Sequence, residues 1–258
     1  MTNFKTHKES LTSYSVKELN ESIGLLLSRG FAPKFILKAT VSKSQIKKGH
    51  LWLTLTDGKA SVDGVAWSST IKSLKFLPKA DDGVVIIGKL NFWESQARIS
   101  VQVFDIRASI STVLKKFEIV KLKLFKEGLI DDSLRRKLPK YPHSIGILTS
   151  APSSALADML RTAKERWPLT KLYIIPIPVQ GNNESELQTI LSKLRKNKLG
   201  LDSIIIARGG GNREDLMLFD NEIIAREIAT FPIPVITGIG HEDDLTVSDL
   251  VSDHRSAT

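Results

Sequence analysis

The sequence contains no cysteine among its 258 residues. This absence excludes disulfides, thiolate catalysis and cysteine-based zinc sites, because each of them needs a thiol. No stretch approaches the roughly 18 consecutive apolar residues that a transmembrane helix needs. The first 15 residues are polar and lack the apolar core of a signal peptide. We therefore expect a cytoplasmic protein that has no membrane as a partner.

Charge is divided unevenly along the chain, whose net charge is +9. Residues 1–140 hold 25 Lys and Arg against 13 Asp and Glu, a net charge of +12, whereas residues 141–258 hold 12 against 15, a net charge of −3. This division favours a polyanion-binding part joined to a part with another role. A basic surface without a specific partner is the alternative.

The N-terminal part predicts a helix followed by a small β-barrel. Ser15 and Glu18 have capping-box spacing at the start of a helix over residues 15–31. Five strand-like runs follow, over residues 35–41, 50–56, 60–67, 84–93 and 98–106. Five short strands in a basic stretch indicate a barrel of oligonucleotide-binding (OB) type, although an SH3-like barrel fits the same pattern.

The C-terminal part alternates predicted strands with predicted helices, which indicates a mostly parallel sheet. We predict strands over residues 144–148, 172–179, 203–207 and 234–238, helices over 154–166 and 184–196, and a mostly helical segment over 214–230. Pro176 and Pro178 predict that their strand lies at an edge of the sheet. The fold class is therefore a two-domain α+β protein, with an OB-type barrel in residues 1–107, a basic helical connector in 108–140 and an α/β domain in 141–258.

Polar residues that could bind a ligand or take part in catalysis follow three of the predicted strands. Parallel sheets bind ligands beyond the carboxyl ends of their strands. Arg208 and the three glycines Gly209, Gly210 and Gly211 follow one strand, and Ser150 follows another. Glycine amides, a hydroxyl and a guanidinium suit a phosphate, so we predict phosphate binding here. A tight turn beside a surface arginine is the alternative.

The third strand leads into His241-Glu242-Asp243-Asp244. One imidazole with three carboxylates suits either a Mg²⁺ or Mn²⁺ site or a general base oriented by an aspartate. A structural histidine, with Asp244 capping the next helix, is the alternative. For Asp249 and Asp253 we expect a solvated helix face.

These segments resemble the large subunit of exodeoxyribonuclease VII. The resemblance rests on RGGGNREDLMLFDNE and IPVITGIGHEDDLTVSDLVSDHRSAT, with KEGLIDDSLRRKLP, IGILTS and PVQG in matching order. Within these motifs, Asn212 stands where the family usually has serine, and Asp243 where it has threonine. The resemblance implies an OB-type domain that binds single-stranded DNA, and an α/β domain that hydrolyses phosphodiester bonds from either end and releases oligonucleotides.

The resemblance also implies the catalytic residues, which fall by motif position on Asp158, Arg208, His241 and Asp244. In the implied roles, His241 activates water or protonates the leaving oxygen, and Arg208 with the glycine amides stabilises charge on the phosphate. Asp158 and Asp244 are the implied ligands if Mg²⁺ takes part, and metal-independent catalysis is the alternative.

The barrel departs further from the family, with Ala39-Thr40 and Gln96-Ala97 in place of its usual pairs. We predict DNA contacts at Lys47, Lys48, His50 and Trp52. Strand aromatics are more often core residues than stacking platforms, so we expect at least half of this set to be buried: Trp52, Trp67, Phe92 and Trp93.

The resemblance also implies a partner protein, and two alternative functions stay open. The family continues into a C-terminal helical region that recruits a small subunit, and we expect this chain to stop before that region. A catalytically inert fragment that binds single-stranded DNA is the alternative function. A small-molecule α/β enzyme is a third possibility, but it leaves the basic N-terminal half unexplained.

Overall fold

A computed structural model describes residues 12–179, 181, 183–241 and 243–256. The chain divides into two compact units. Among the described residues, the first unit comprises residues 12–73, 79–81 and 85–105, and the second comprises residues 74–78, 82–84 and 106–256.

The first unit begins with helix α1 (Val16–Gly30). The Ser15 side chain accepts a hydrogen bond from the Glu18 amide at 3.2 Å, and the Glu18 carboxylate accepts one from the Ser15 amide at 2.7 Å. This reciprocal pair satisfies two amides at the start of the helix. The predicted capping box is therefore present.

Five strands form a closed barrel in the order β1-β2-β3-β5-β4. They are β1 (Phe35–Lys47), β2 (His50–Thr56), β3 (Ser61–Ala66), β4 (Gly83–Trp93) and β5 (Arg98–Ala108), with the short helix α2 (Ser68–Ile71) between β3 and β4. In β2 the residues Leu51, Leu53 and Leu55 are buried while their neighbours are half-buried, as the alternation in the sequence predicts. The OB-type barrel is confirmed.

Residues 108–140, predicted as a connector, contain helix α3 (Ile110–Lys126). Phe117 and Leu124 of this helix are buried in the core of the second unit. Arg135 donates to the Leu250 carbonyl, and Arg136 pairs with Asp253 at 2.9 Å. The segment after Asp105 is thus packed into the α/β unit, because its apolar face completes that core.

The second unit contains a five-stranded parallel sheet in the order β10-β9-β8-β6-β7. The strands are β6 (Ser144–Thr149), β7 (Lys171–Pro176), β8 (Ser203–Arg208), β9 (Val235–Ile239) and β10 (His254–Arg255). As Pro176 predicts, β7 lies at an edge of the sheet.

Four further helices accompany this sheet: α4 (Ser154–Arg166), α5 (Glu184–Leu194), α6 (Glu222–Ala229) and α7 (Val247–Val251). The segment predicted to be mostly helical over residues 214–230 is helical in two pieces, since a 3₁₀ helix over Arg213–Asp220 precedes α6. Asn221 separates the two elements, since its side chain accepts from the Ile223 and Ile224 amides and starts a new helix. Within the described residues, no helix combines the length and apolar character needed to cross a membrane.

Candidate active site

The parallel register brings the predicted site loops to one edge of the sheet. Arg208, the last residue of β8, lies beside Ile239, the last residue of β9. Two residues after Ile239 the chain reaches His241. The guanidinium of Arg208 and the imidazole of His241 therefore leave the sheet from neighbouring strands, as the positions of the two motifs predict.

The side chain of Arg208 is almost wholly buried, with the residue 7% exposed. Its Nη2 lies 3.7 Å from a carboxylate oxygen of Asp215. Its Nη1 is buried without a hydrogen-bond partner among the described residues. Burial lowers the pKa of Arg208, while the carboxylates of Asp215 and Asp244 oppose that change. An arginine nevertheless stays charged, so the site holds a cation with an unused donor.

The glycine run is shaped around Arg208 and His241. A Cβ atom on Gly211 would lie 2.6 Å from Arg208 Nη2, and a Cβ atom on Gly210 would lie 2.5 Å from His241 Cε1. A side chain at either position would force Arg208 or His241 to move, and the exposed imidazole of His241 can move more easily than the buried guanidinium of Arg208. Gly210 and Gly211 are thus explained by the side chains that lie against them, beyond the needs of a turn.

His241 and Asp244 form a loose pair. The Nδ1 atom of His241 lies 3.8 Å from an oxygen of Asp244, too far for a hydrogen bond. The imidazole is 68% exposed, whereas the carboxylate is half-buried. A small rotation of the exposed ring would bring the two groups into contact, and catalytic hydrogen bonds commonly tighten when a ligand binds.

Asp158 stands apart from the other three predicted catalytic residues. It lies in α4 and pairs with Arg161 at 2.7 Å, and in the described part of the chain no hydrogen bond or ion pair joins it to Arg208, His241 or Asp244. The first turn of α4 nevertheless reaches the glycine run, since a Cβ atom on Gly209 would lie 3.8 Å from Ala155 Cβ. Asp158 follows Ala155 at the spacing of helix neighbours, which places it on the same side of α4.

The loop between β6 and α4 holds Ser150. It is half-buried and directly follows Thr149, the last residue of β6. The hydroxyl of Thr149 is buried without a hydrogen-bond partner among the described residues. This end of β6 therefore carries two hydroxyl groups beside the glycine-containing edge.

A buried ion pair supports the segment that carries His241 and Asp244. Arg213 and Asp220 lie 2.6 Å apart with little of either side chain exposed, and Arg213 also donates to the Leu245 carbonyl at 3.3 Å. Asp220 accepts from the Val247 amide at 3.0 Å. Burial raises the pKa of the Asp220 carboxyl, although its contacts with Arg213 and Val247 act in the opposite direction.

A second pair of charged residues supports the same segment from β10 and α7. Arg255 donates to the His241 carbonyl at 3.2 Å. Asp249 is buried and accepts from the Thr246 amide at 2.9 Å and the Thr246 hydroxyl at 2.7 Å, which forms a capping box. Thr246 rather than Asp244 therefore caps α7.

The expectation of a solvated face for Asp249 and Asp253 is wrong, because Asp249 caps a buried helix end and Asp253 is held by Arg136. The spacing of Thr246 and Asp249 was the sequence signal for the capping role. No comparable signal marks the ion pairs Arg208–Asp215 and Arg213–Asp220, whose members are seven residues apart, or the contact of Arg255 with the His241 carbonyl.

The donor set does not by itself define a metal site. Among the residues that the structure describes, no three His, Asp or Glu side chains are grouped closely enough to hold an ion. The predicted ligands Asp158 and Asp244 are not grouped by any contact, and Glu242 and its carboxylate lie outside the described residues. Among the described residues, Asp158 and Asp244 therefore do not form an ion site by themselves.

The predicted DNA contacts of the barrel lie at the start of β2 and the turn before it. Lys47 ends β1, Lys48 and Gly49 form the turn with positive φ angles of 49° and 78°, and His50 begins β2. Lys47 and Trp52 border a shallow groove of about 180 Å³ on the barrel. The other residues of this groove are Lys43, Gln45, Leu53, Thr54, Asp63 and Arg98.

His50 has a structural role in the barrel. Its Nδ1 accepts from the Ser68 amide at 3.0 Å, and its ring meets Trp67 edge to face with centroids 5.0 Å apart. The expectation that at least half of the four strand aromatics are buried is wrong: Trp52, Trp67 and Phe92 are half-buried and Trp93 is exposed. Trp52 lies on the outward side of β2, opposite its buried leucines, whereas Phe92 and Trp93 point to opposite sides of β4 and Trp67 follows the end of β3.

Comparison with known families agrees with both units. The sequence profile described as "OB-fold nucleic acid binding domain" matches residues 14–107. The chain is thus of the class that joins an OB-fold nucleic-acid-binding domain to a parallel α/β domain. The profile described as "Exonuclease VII, large subunit" matches residues 129–258, and the chain belongs to that family.

Several curated relatives are named exodeoxyribonuclease 7 large subunit. The chain is 61% identical to the one from Synechococcus sp. (strain CC9311) over 252 residues, which is 97% of this chain and 65% of that protein. It is 39% identical to the one from Campylobacter hominis, over 95% of this chain and 63% of that protein. The chain thus spans about 65% of the length of the Synechococcus relative.

Solved structures resemble only part of the chain. A replication protein A heterotrimer bound to single-stranded DNA is 16% identical with a TM-score of 0.26, covering 31% of this chain and 59% of that chain. The SSB domain of a Synechococcus sp. protein is 20% identical with a TM-score of 0.26, covering 30% of this chain and 94% of that chain.

Proposed function

We propose that this chain is the catalytic part of an exonuclease that hydrolyses phosphodiester bonds of single-stranded DNA and releases oligonucleotides. The observation that carries the proposal is the buried Arg208, whose Nη1 has a donor to spare at the same sheet edge as His241. An unused donor on a buried cation is unfavourable unless a ligand accepts from it. A phosphate oxygen is a suitable acceptor, and family membership supports the same substrate.

In the proposed reaction a water oxygen attacks the phosphorus atom and the bond from phosphorus to the leaving deoxyribose oxygen breaks. His241 removes the proton from the attacking water or supplies one to the leaving oxygen. Asp244, at 3.8 Å from His241 Nδ1, orients the ring and stabilises its charged form. Arg208 and the amides of the glycine run hold the phosphate oxygens, where negative charge accumulates as the water attacks.

Asp158 and Ser150 complete the proposal from the loop and helix that follow β6. Ser150 contributes a donor to the phosphate, and Asp158 positions the attacking water once Arg161 is drawn towards the substrate. We also propose that Mg²⁺, if the reaction needs it, reaches the site with the DNA.

The proposed role of the barrel is to hold the single strand. Its basic surface attracts phosphates without regard to sequence, and its partly exposed tryptophans offer surfaces on which bases stack. Lys47, Lys48 and Trp52 are the proposed contacts, with His50 in support of the fold. We also propose that the chain works with the small subunit of the family and that it is located in the cytoplasm.

End-labelled single-stranded DNA tests the function. Incubation of the chain with this DNA, with and without EDTA, should release short labelled oligonucleotides in at least one buffer. His241→Ala should abolish the release while leaving DNA affinity nearly unchanged. His143 offers a matched control, because it is an exposed histidine directly before β6, at the end of the strand opposite the candidate site. His143→Ala should leave the release of oligonucleotides unchanged.

Two outcomes would contradict the proposal. Binding without cleavage in either buffer would favour the inert DNA-binding fragment. Equal loss of cleavage and of binding in His241→Ala would place the imidazole in substrate binding or folding instead of in the chemical step.

A further inference from the structure

Two exposed aromatic rings stack on each other in the α/β unit. Tyr141 and Trp167 have ring centroids 6.3 Å apart and planes inclined by 22°. Tyr141 is 67% exposed and Trp167 is 45% exposed. Leu169, two residues after Trp167, is 95% exposed. Large apolar groups so close together are seldom left in water unless the surface has a partner.

The stacked pair is held in place by backbone and side-chain hydrogen bonds. The Thr170 hydroxyl donates to the Pro142 carbonyl at 2.7 Å, and the Lys171 amide donates to the His143 carbonyl at 2.8 Å. The Trp167 amide donates to the Ala163 carbonyl at 2.8 Å and ends α4. Two chain segments are thereby fixed side by side, so the two rings form a preorganised surface.

This surface is distant from the candidate active site. Tyr141 precedes β6 and Trp167 precedes β7, whereas the active-site loops follow the strands at their other ends. A strand of six residues such as β6 spans about 20 Å at a rise of about 3.3 Å per residue. The pair therefore lies at the amino edge of the sheet and cannot belong to the site of Arg208 and His241.

Basic residues predominate in the two chain segments that carry the pair, although residues 141–258 are acidic as a whole with a net charge of −3. Lys140 lies over the Tyr141 ring at 5.6 Å. The exposed charged residues of segments 137–143 and 164–171 are Lys137, Lys140, Lys164, Glu165, Arg166 and Lys171. Five of these six side chains are cationic. This local excess favours a polyanionic partner over an acidic or purely apolar surface.

We propose that Tyr141 and Trp167 form a platform on which bases of single-stranded nucleic acid stack, with the surrounding lysines and Arg166 contacting the phosphates. Aromatic rings interleaved with basic residues are the general device for binding unpaired strands, because every base has a flat face. The platform is additional to the barrel and to the active site. The proposal requires DNA binding but does not require that the chain cleave DNA.

Fluorine NMR tests the contact directly. The chain has four tryptophans, and substitution with 5-fluorotryptophan gives each a signal, of which Trp167 is assigned by its loss in Trp167→Phe. The probe is an oligothymidylate of about 30 nucleotides, longer than the roughly 4–16 nucleotides that one OB fold covers. His241→Ala protein in EDTA keeps the probe intact. The Trp167 signal should shift as the probe saturates the protein.

Affinity measurements with variants separate stacking from simple hydrophobicity. Trp167→Leu keeps an apolar side chain but removes the flat ring, and should raise the Kd for the same probe about 5- to 150-fold, the range that one stacked base implies. Trp167→Phe is the matched control and should bind nearly as tightly as the parent. Tyr141→Leu gives an independent measurement at the more exposed ring, should Trp167→Leu fail to fold.

An unmoved Trp167 signal at saturation would overturn the proposal, and so would unchanged affinity in both leucine variants. A Trp167 signal that shifts with protein concentration, but not with DNA, would instead identify a contact between copies of the chain and refute the nucleic-acid platform. None of these results depends on cleavage. A chain that binds through the platform yet releases no oligonucleotides would refute only the proposed exonuclease function.

Discussion

Replacing Arg213 with alanine tests whether the buried ion pair supports the loop that carries His241 and Asp244. In the folded protein, Arg213 lies 2.6 Å from Asp220 and donates to the Leu245 carbonyl. The substitution leaves a carboxylate that is 4% exposed without its cation. Breaking a buried pair from one side typically costs about 3–5 kcal/mol, because the remaining charge stays desolvated. We expect a loss in that range near pH 7.

Removing the second charge should recover part of this loss. In the double variant Arg213→Ala, Asp220→Asn, the amide at position 220 still offers an oxygen to the Val247 amide but carries no charge. We therefore expect the double variant to be more stable than Arg213→Ala by about 1–3 kcal/mol, the usual range of coupling between residues in contact. Asp220→Asn alone should cost less than Arg213→Ala, because burial already disfavours the ionised form of this carboxyl.

The pH dependence of stability tests directly whether Asp220 is ionised in the folded protein. Burial raises the pKa of Asp220 above its ordinary value, and loss of Arg213 removes the main opposing influence. A carboxyl with a raised folded-state pKa favours the folded state below its unfolded pKa and loses that contribution as the pH rises through the folded-state pKa. Arg213→Ala should therefore regain stability relative to the double variant as the pH falls from 7 towards 4.

Urea unfolding followed by far-ultraviolet circular dichroism measures these differences, and exchange of the Val247 amide reports on the local contact. The comparison of Arg213→Ala with the double variant cancels the titration of all other carboxyls. A stability difference that stays constant from pH 7 to pH 4 would refute the assignment of a buried, ionised Asp220. Equal stability of the two variants at pH 7 would refute the coupling.

Three other predictions concern the phosphate edge and the barrel. Gly211→Ala should destabilise the protein by about 1–3 kcal/mol in urea unfolding, because its Cβ would lie 2.6 Å from the buried Arg208. Gly210→Ala brings its Cβ against the exposed His241, so it should change stability by no more than about 0.5 kcal/mol. It should nevertheless slow cleavage about 100-fold, because it displaces the imidazole. Arg208→Lys should lower the single-turnover cleavage rate about 10²- to 10³-fold with little change in Kd, because lysine lacks the planar set of donors of a guanidinium. An unchanged cleavage rate would show that Arg208 does not stabilise the transition state. Lys47→Ala, Lys48→Ala should reduce the slope of log Kd against log salt by about 1.4 in anisotropy titrations, and an unaltered slope would mean that neither lysine contacts a phosphate.

The sequence predicted the elements of both units well because the relevant signals are local. The leucine alternation of β2, the capping residues of α1 and the prolines at the end of β7 each act within a few residues. The mostly helical segment predicted over 214–230 is present, but its break was not predicted: Asn221 offers its own side chain to two amides and starts a new helix. Periodicity alone does not detect such an interruption, because the apolar spacing continues through it.

The candidate site was predicted less completely. Strand-end motifs identified Arg208, the glycines and His241, whose proximity follows from parallel register. The supporting charges could not be found in the same way, since Arg213 contacts the Leu245 carbonyl across 32 residues and Arg255 contacts the His241 carbonyl across 14. Such contacts depend on how the edge of the sheet packs. A pattern confined to one segment carries no information about them.

The pairing of charges, and not their number, decides how the α/β unit presents itself to a polyanion. Residues 141–258 carry a net charge of −3, which taken alone argues against binding DNA. At the carboxyl edge, however, Asp158 is paired with Arg161 and Asp215 lies 3.7 Å from Arg208. Asp220 is likewise paired with Arg213 and is nearly inaccessible. Among the described residues Arg208 retains a donor without an acceptor, so under the proposed function a phosphate at this edge would meet partly neutralised carboxylates and one cation that water screens only weakly.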